Sequence, residues 1–172
     1  MNPKLDIIFA RRSIRLFRQD AVSNAVVRDL LEAAMAAPSA CAKDPWRFVV
    51  VRRRETLDTI AAGLPNGKML TQAPLGIVVC GDLTMAHGNE LSYLLQDCSA
   101  AIENLLLAAA TMALGACWLG VHPRAERIDL LRRLLLLPES VIPICVIALG
   151  LPGEVKPART RYREDLIHRE MW

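Results

Sequence analysis

Three guanidinium groups and a hydroxyl fall within five residues, Arg11-Arg12-Ser13-Ile14-Arg15. Arginine presents a planar fork of donors that suits phosphate oxygens. Serine adds a hydroxyl that can turn toward the same anion. The cluster reads as half of a phosphate clamp, or as a solvated basic turn. Other kinds of chemistry have little to stand on. His87, His122 and His168 are scattered without ligand spacing, so no metal site is expected. No Ser/His/Asp set or paired acid motif is visible. Neither GxGxxG after a strand nor GxxxxGK[ST] occurs.

The bulk composition narrows the classes further. The chain has 172 residues, 53% hydrophobic but only 5% aromatic, with a net charge of +3. Such a length suits a single domain, 1–172, with a real core. An aliphatic excess in a short chain points to surface hidden between subunits. The mild charge favours small anions and does not argue for nucleic acid, which needs a concentrated basic stripe. The five cysteines include no CxxC pair, and four sit in apolar runs, which suggests a reducing, cytoplasmic setting without disulfides. The N-terminus lacks a signal-peptide pattern. Leu105 to Val121 is an uncharged run of about 17 residues, at the lower limit for spanning a bilayer. Gly115 breaks it and Asp97, Glu103 and Asn104 lie upstream, so a central helix packed on several sides is expected, with no membrane partner.

The elements that must position these residues follow from caps and periodicity. Asn2-Pro3 starts a short helix with Leu5, Ile8 and Phe9 on one face, and the Arg/Ser cluster interrupts it. Ser23 opens a second helix, with Val26, Val27, Leu30, Leu31 and Ala34 at helical spacing. Residues 38–46 form a loop pinned by two prolines. Arg47 to Arg52 is a strand whose continuous apolar centre predicts burial on both faces. A helix over 56–62, a turn at Asn66-Gly67, a helical turn from Lys68 and a second strand from Leu75 follow. Leu91 to Leu114 is the longest helix, with Gly115 expected at its C-terminal cap. A strand over 116–121, an amphipathic helix over 123–137 and a strand over 141–149 complete the pattern. The tail, 151–172, carries Lys156, Arg159, Arg161, Arg163 and Arg169 yet finishes on Met171-Trp172, so it is expected to dock on a partner subunit. Helices and strands in this order predict an α+β or α/β sandwich with a mixed sheet.

The ordered series RRSIRLF, APSACAKDPWRFVVV, QDCSAAIENLLLAA, LGACWLG and KPARTRY resembles the FMN-dependent nitroreductase family from about Arg11 onward. The resemblance implies a homodimeric three-layer α/β/α sandwich with FMN at the subunit interface. It implies that Arg11, Ser13 and Arg15, with Arg12 beside them, hold the flavin phosphate and ribityl chain, joined by Arg159 and Arg161 from the tail. Pro38, Ser39 and Ala40 would reach the flavin from the partner subunit. In that loop the family's Asn and Gln are replaced by Ala42 and Asp44. Ala42 removes an amide worth on the order of 1 kcal/mol, and Asp44 would set a negative charge near an electron-rich ring, so Asp44 is not expected to contact it. Lys68 resembles the family's lysine at the pyrimidine edge, where a fixed cation favours the reduced flavin. Trp118, Leu119 and Gly120 look like the backbone run beside the ring's reactive edge, with Gly120 permitting close approach. The implied activity is an NAD(P)H oxidoreductase working through FMN on a small-molecule electron acceptor such as a nitroaromatic or quinone, with no catalytic side chain beyond the flavin. Alternatives are an FMN-binding protein with little turnover, or another reaction of the family such as reductive dehalogenation or flavin fragmentation. The fragmenting reaction would need a lid, and the connection over 83–90 is short. A basic protein resting on a membrane surface is a third reading.

Overall fold

The computed structural model describes residues 2–172. Four strands form one sheet: β1 (Trp46–Val51), β2 (Leu75–Asp82), β3 (Gly115–Gly120) and β4 (Val141–Gly150), in the order β1-β2-β4-β3. Every neighbouring pair is antiparallel, with Trp46 opposite Gly81, Leu75 opposite Leu149, and Gly115 opposite Gly150. The parallel component of the expected mixed sheet is confined, among the described residues, to one bridge between Ser13 and Ala116.

Two apolar clusters lie on the two faces of the sheet. On one face α2 (Asn24–Met35) and α4 (Leu91–Thr111) pack on Ile77, Val79, Ile147 and Leu149. On the other, α3 (Arg54–Gly63) and α5 (Ala125–Leu135) pack on Val78, Cys80, Val146 and Ala148. The alternation of side chains along β2 and β4 sends successive residues into opposite layers, which is why these two strands are apolar throughout. The result is the expected three-layer α+β sandwich. The short α1 (Asp6–Ala10) leans on α4.

Local signals explain most boundaries. Ser23 caps α2, its hydroxyl accepting from the Val26 N–H at 3.3 Å. The run Phe48–Val51 is not buried on both faces. It belongs to an edge strand with one sheet neighbour, and Val50 is exposed. Gly115 does not cap the long helix. α4 stops at Thr111, the left-handed residue is Ala113 at φ 56°, and Gly115 already lies in β3. A Cβ at Gly115 would stand 2.8 Å from the Ile14 side chain, so the glycine serves close packing against the basic segment. α4 is surrounded as expected: Leu94, Cys98, Ile102 and Leu105 are fully buried. Among the described residues no helix is long and apolar enough to cross a membrane.

Candidate active site

The segment that carries the basic cluster is held as an added edge beside β3. Ile14 and Phe17 are buried, and the Ile14 N–H donates to the Ala116 carbonyl at 3.0 Å. Farther on, Arg18 donates to Leu151 and Gly153 donates back to Leu16. Anchoring Ile14 and Phe17 inward leaves Arg15 directed outward. A carboxylate fixes the turn between them. Glu154 Oε1 accepts from the Arg15 N–H at 2.6 Å and from the Leu16 N–H at 3.3 Å. Lys156 pairs with Glu154 at 3.0 Å and donates to the Ser13 carbonyl at 2.7 Å. The Arg15 N–H and then Lys156 hold the Glu154 carboxyl below its usual range.

Arg15 opens onto a cavity of about 680 Å³. Lys68, Met69 and Gln72 form one wall, and Trp118, Leu119 and Gly120 another, with Cys117 and Asn66 also lining it. Five of the residues singled out from sequence thus come together: Arg15, Lys68, Trp118, Leu119 and Gly120. Gly120 closes β3, and a Cβ placed there meets nothing within 4 Å. The glycine therefore leaves room for a flat body to lie against the backbone. Its peptide to Val121 is fixed at both ends: Arg127 donates to the Gly120 carbonyl at 2.8 Å, and the Val121 N–H donates to Ile144 at 3.1 Å. Burial pushes the Cys117 thiol up, partly offset by Arg15 and Ser13. It is a poor nucleophile in that state.

The remaining basic residues are placed differently. Arg11 pairs with Glu103 at 3.2 Å, and Arg12 donates to the Pro157 carbonyl. Both line a smaller groove of about 240 Å³ together with Leu114 and Val155. Ser13 sits in the bridge to Ala116 and lines neither cavity. The Arg159 N–H donates to the Phe9 carbonyl at 3.0 Å, which lays the tail beside the end of α1. The side chains of Arg159 and Arg161 are exposed.

Pro38, Ser39 and Ala40 lie in a separate loop outside both cavities. Ser39 Oγ donates to Asp44 Oδ1 at 2.6 Å and accepts from the Asp44 N–H at 3.0 Å. Asp44 therefore closes the loop on itself. Cys41, Ala42 and Asp44 all have left-handed backbone, at φ 52°, 51° and 49°. The Ala40 N–H donates to Asp97 Oδ1 at 2.9 Å, and Asp97 is a buried acid of α4. The roles of Glu154, Lys156, Arg127 and Asp97 are not evident from the sequence, where Lys156 stands only as one of several tail cations and Asp97 only as one of two acids in the long helix.

The profile of the nitroreductase family matches residues 8–64 and 59–151. The chain belongs to that family. A protein of Archaeoglobus fulgidus with the provisional name NADH dehydrogenase/NAD(P)H nitroreductase is 43% identical over the full length of both chains. A crystal structure under the same provisional name from Bacteroides thetaiotaomicron superposes with a TM-score of 0.93 at 41% identity, covering 100% of this chain and 99% of the other. A provisionally named nitroreductase from Desulfovibrio desulfuricans, solved in complex with FMN, is 34% identical, with a TM-score of 0.85 and 100% and 99% coverage. The nitroreductase residues of this chain that form the cavity all come from the span these proteins share with it.

Proposed function

We propose that this chain is an FMN-dependent NAD(P)H oxidoreductase. The observation that carries the reading is the cavity in which Arg15 and Lys68 stand around a backbone wall left open by Gly120. A flavin mononucleotide fits that set: its flat ring would lie against Trp118–Gly120, Lys68 would face its polar edge, and the Arg15 guanidinium would meet its phosphate. When bound, FMN supplies hydride and electron transfer between a nicotinamide donor and an acceptor.

The chain's own contribution is binding, orientation and charge. Lys68 places a positive charge where negative charge accumulates on reduction, which favours the reduced cofactor. Arg15, with Arg11, Arg12 and Ser13 next to it and Arg159 and Arg161 in the tail, neutralises the phosphate. Gly120 would let the flavin ring lie close against the backbone of β3, leaving its other face for donor and acceptor in turn, as a ping-pong reaction requires. Pro38, Ser39 and Ala40 serve the cavity of a second copy, and residues 151–172 dock on that copy, so the working unit of this single-domain chain is a homodimer. Nitroaromatics, quinones or related small molecules are the acceptors, and the setting is cytoplasmic. The connection over 83–90 holds two single 3-10 turns, Leu83–Met85 and His87–Asn89, which argues against a lid of the kind a flavin-fragmenting reaction would need.

Anaerobic mixing of the purified, FMN-loaded protein with NADH and with NADPH tests the reading. Bleaching of the bound flavin, followed by recovery on adding a quinone, is expected. Protein that stays colourless with added FMN removes the cofactor assignment. Loaded protein that neither donor bleaches is a flavin-binding protein and not an oxidoreductase. Arg15→Ala should weaken FMN binding by about tenfold or more, the value of a charge-assisted hydrogen bond.

A further inference from the structure

We infer that Arg54, on the helix behind the cavity, is a positioning residue that sets Lys68 by holding the turn on which Lys68 rides; the inference rests on the flavin reading above. The turn, Lys68–Thr71, is a single 3-10 turn and too short to hold itself. α3 holds it. A Cβ on Gly67 would lie 2.8 Å from the Ala61 carbonyl oxygen, so the entry to the turn is pressed onto that helix. Met69 and Leu70 are buried.

The exit is where Arg54 acts. The N–H groups of Gln72 and Ala73 both donate to the Met69 carbonyl, at 3.1 and 3.0 Å. The Leu70 carbonyl has no such donor waiting four residues on, because that residue is Pro74, which has no N–H. The Arg54 guanidinium fills the gap, donating to the Leu70 carbonyl and, at 3.0 Å, to the Ala73 carbonyl. Its Nε donates to Asp58 at 3.0 Å, one turn along α3.

Helix preference does not explain an arginine there. Arg54 is the first residue of α3, the end at which the helix dipole disfavours a cation. A solvent-exposed pair with Asp58 offsets this only weakly. Two charge-assisted bonds to partly buried carbonyls are the larger effect. The same charge is favourable at the C-terminal end of the Lys68 turn. Arg54 thus fixes the angle at which that turn presents Lys68 to the cavity.

A double-mutant cycle decides it. In the flavin-free full-length protein, Arg54→Met removes both bonds and should speed amide exchange at Leu70, Gln72 and Ala73 by at least about tenfold, the value of one such bond. With FMN bound, Arg54→Met should lower the flavin midpoint potential in the same direction as Lys68→Ala. Adding Arg54→Met to Lys68→Ala should lower it no further. Arg54→Lys, which keeps the charge and one donor, should recover part of both effects. Arg28→Met is the control, because Arg28 makes the same kind of pair with Glu32 on α2 but touches no part of the cavity. A potential lowered by Lys68→Ala but untouched by Arg54→Met overturns the inference and leaves the flavin reading standing. A further drop in the double variant also overturns it, since Arg54 then acts without Lys68. A potential that Lys68→Ala does not move removes both. If Arg54→Met does not fold, Arg54→Lys carries the same comparison.

Discussion

Around the cavity each stretch of backbone is tied by the chain's own groups, whereas from Arg161 onward the chain bonds chiefly to itself. Arg15 and Leu16 are held by Glu154, Ser13 by Lys156, and Gly120 by Arg127. In the tail, Tyr162 donates to Glu164, Arg163 pairs with Asp165, Arg169 pairs with Glu164 at 2.8 Å, and His168 stacks on Trp172 at 4.2 Å. Exposed ion pairs of this kind contribute little each, because solvent screens the charges and holding two long side chains costs entropy. Trp172 is fully exposed, and Met171, Tyr162 and Leu166 are largely so. Covering a tryptophan-sized area of roughly 200 Å² would contribute about 5 kcal/mol, more than the tail's exposed pairs together. The comparison teaches that one half of the proposed site is built within a single chain. The other half, on the reading proposed above, is a hook whose stabilising contacts would lie on a second copy.

Deleting residues 158–172 should break this division most sharply. No residue beyond Leu149 belongs to either core cluster, so the shortened chain should stay folded, with a melting temperature close to that of the full chain. It should lose the dimer and, with Arg159 and Arg161 gone, hold FMN at least about a hundredfold more weakly. Sedimentation and flavin titration measure the two losses. A shortened chain that remains a flavin-loaded dimer would mean that the tail is an ornament and the hook does not exist.

Glu154→Gln acts on the self-contained half and should have a smaller effect. The amide oxygen can still accept from both N–H groups, but the negative charge that pairs with Lys156 is gone. FMN affinity should fall several-fold as Arg15 loosens, within the range of one hydrogen bond. The pH dependence gives the sign. Because the folded protein holds the Glu154 carboxyl below its usual range, its stabilising effect is complete above the unfolded value of about 4.3 and is lost as the pH falls through the lower folded value. Urea midpoints of the two proteins should therefore differ at pH 7 and converge in acid, as the pH falls through that lower value. A gap that persists in acid would assign the loss to packing, not charge.

The same division separates what the sequence makes legible from what it hides. Local rules reach far: the Ser23 cap, the unbroken apolar runs of β2 and β4, and the spacing of α2 all appear as expected. Motifs that match the nitroreductases led to five residues that meet in one cavity. The misreadings have physical causes. An apolar run such as Phe48–Val51 states what a strand can bury but not whether it lies at an edge. A glycine after a helix can serve the cap or a close approach, and Gly115 does the second. The ties that hold the cavity join residues far apart in the chain, Glu154 to Arg15 or Arg127 to Gly120. A charged side chain that reaches a distant backbone group leaves no periodicity to read, because its partner has no side-chain identity.

The smallest expected effect tests the loop that belongs to neither half on its own. Ala42 stands where the resemblance expects Asn, and its φ of 51° is a conformation that asparagine and glycine adopt more easily. Two explanations of the asparagine then compete, since an amide could bind flavin or merely relax the backbone. Ala42→Gly relieves the strain, worth about 1 kcal/mol, but adds a similar entropy cost in the unfolded chain, so its stability should change little. Ala42→Asn relieves the strain without that cost and should stabilise the fold by up to about 1 kcal/mol. If the amide also reaches the cofactor, Ala42→Asn should tighten FMN binding about fivefold relative to Ala42→Gly. Fluorescence quenching of FMN by the two apo variants gives the ratio directly. Equal affinities would show that the position is chosen for its backbone. The loop would then serve a second copy through Pro38, Ser39 and Ala40 alone, positioned by the bond from the Ala40 N–H to Asp97.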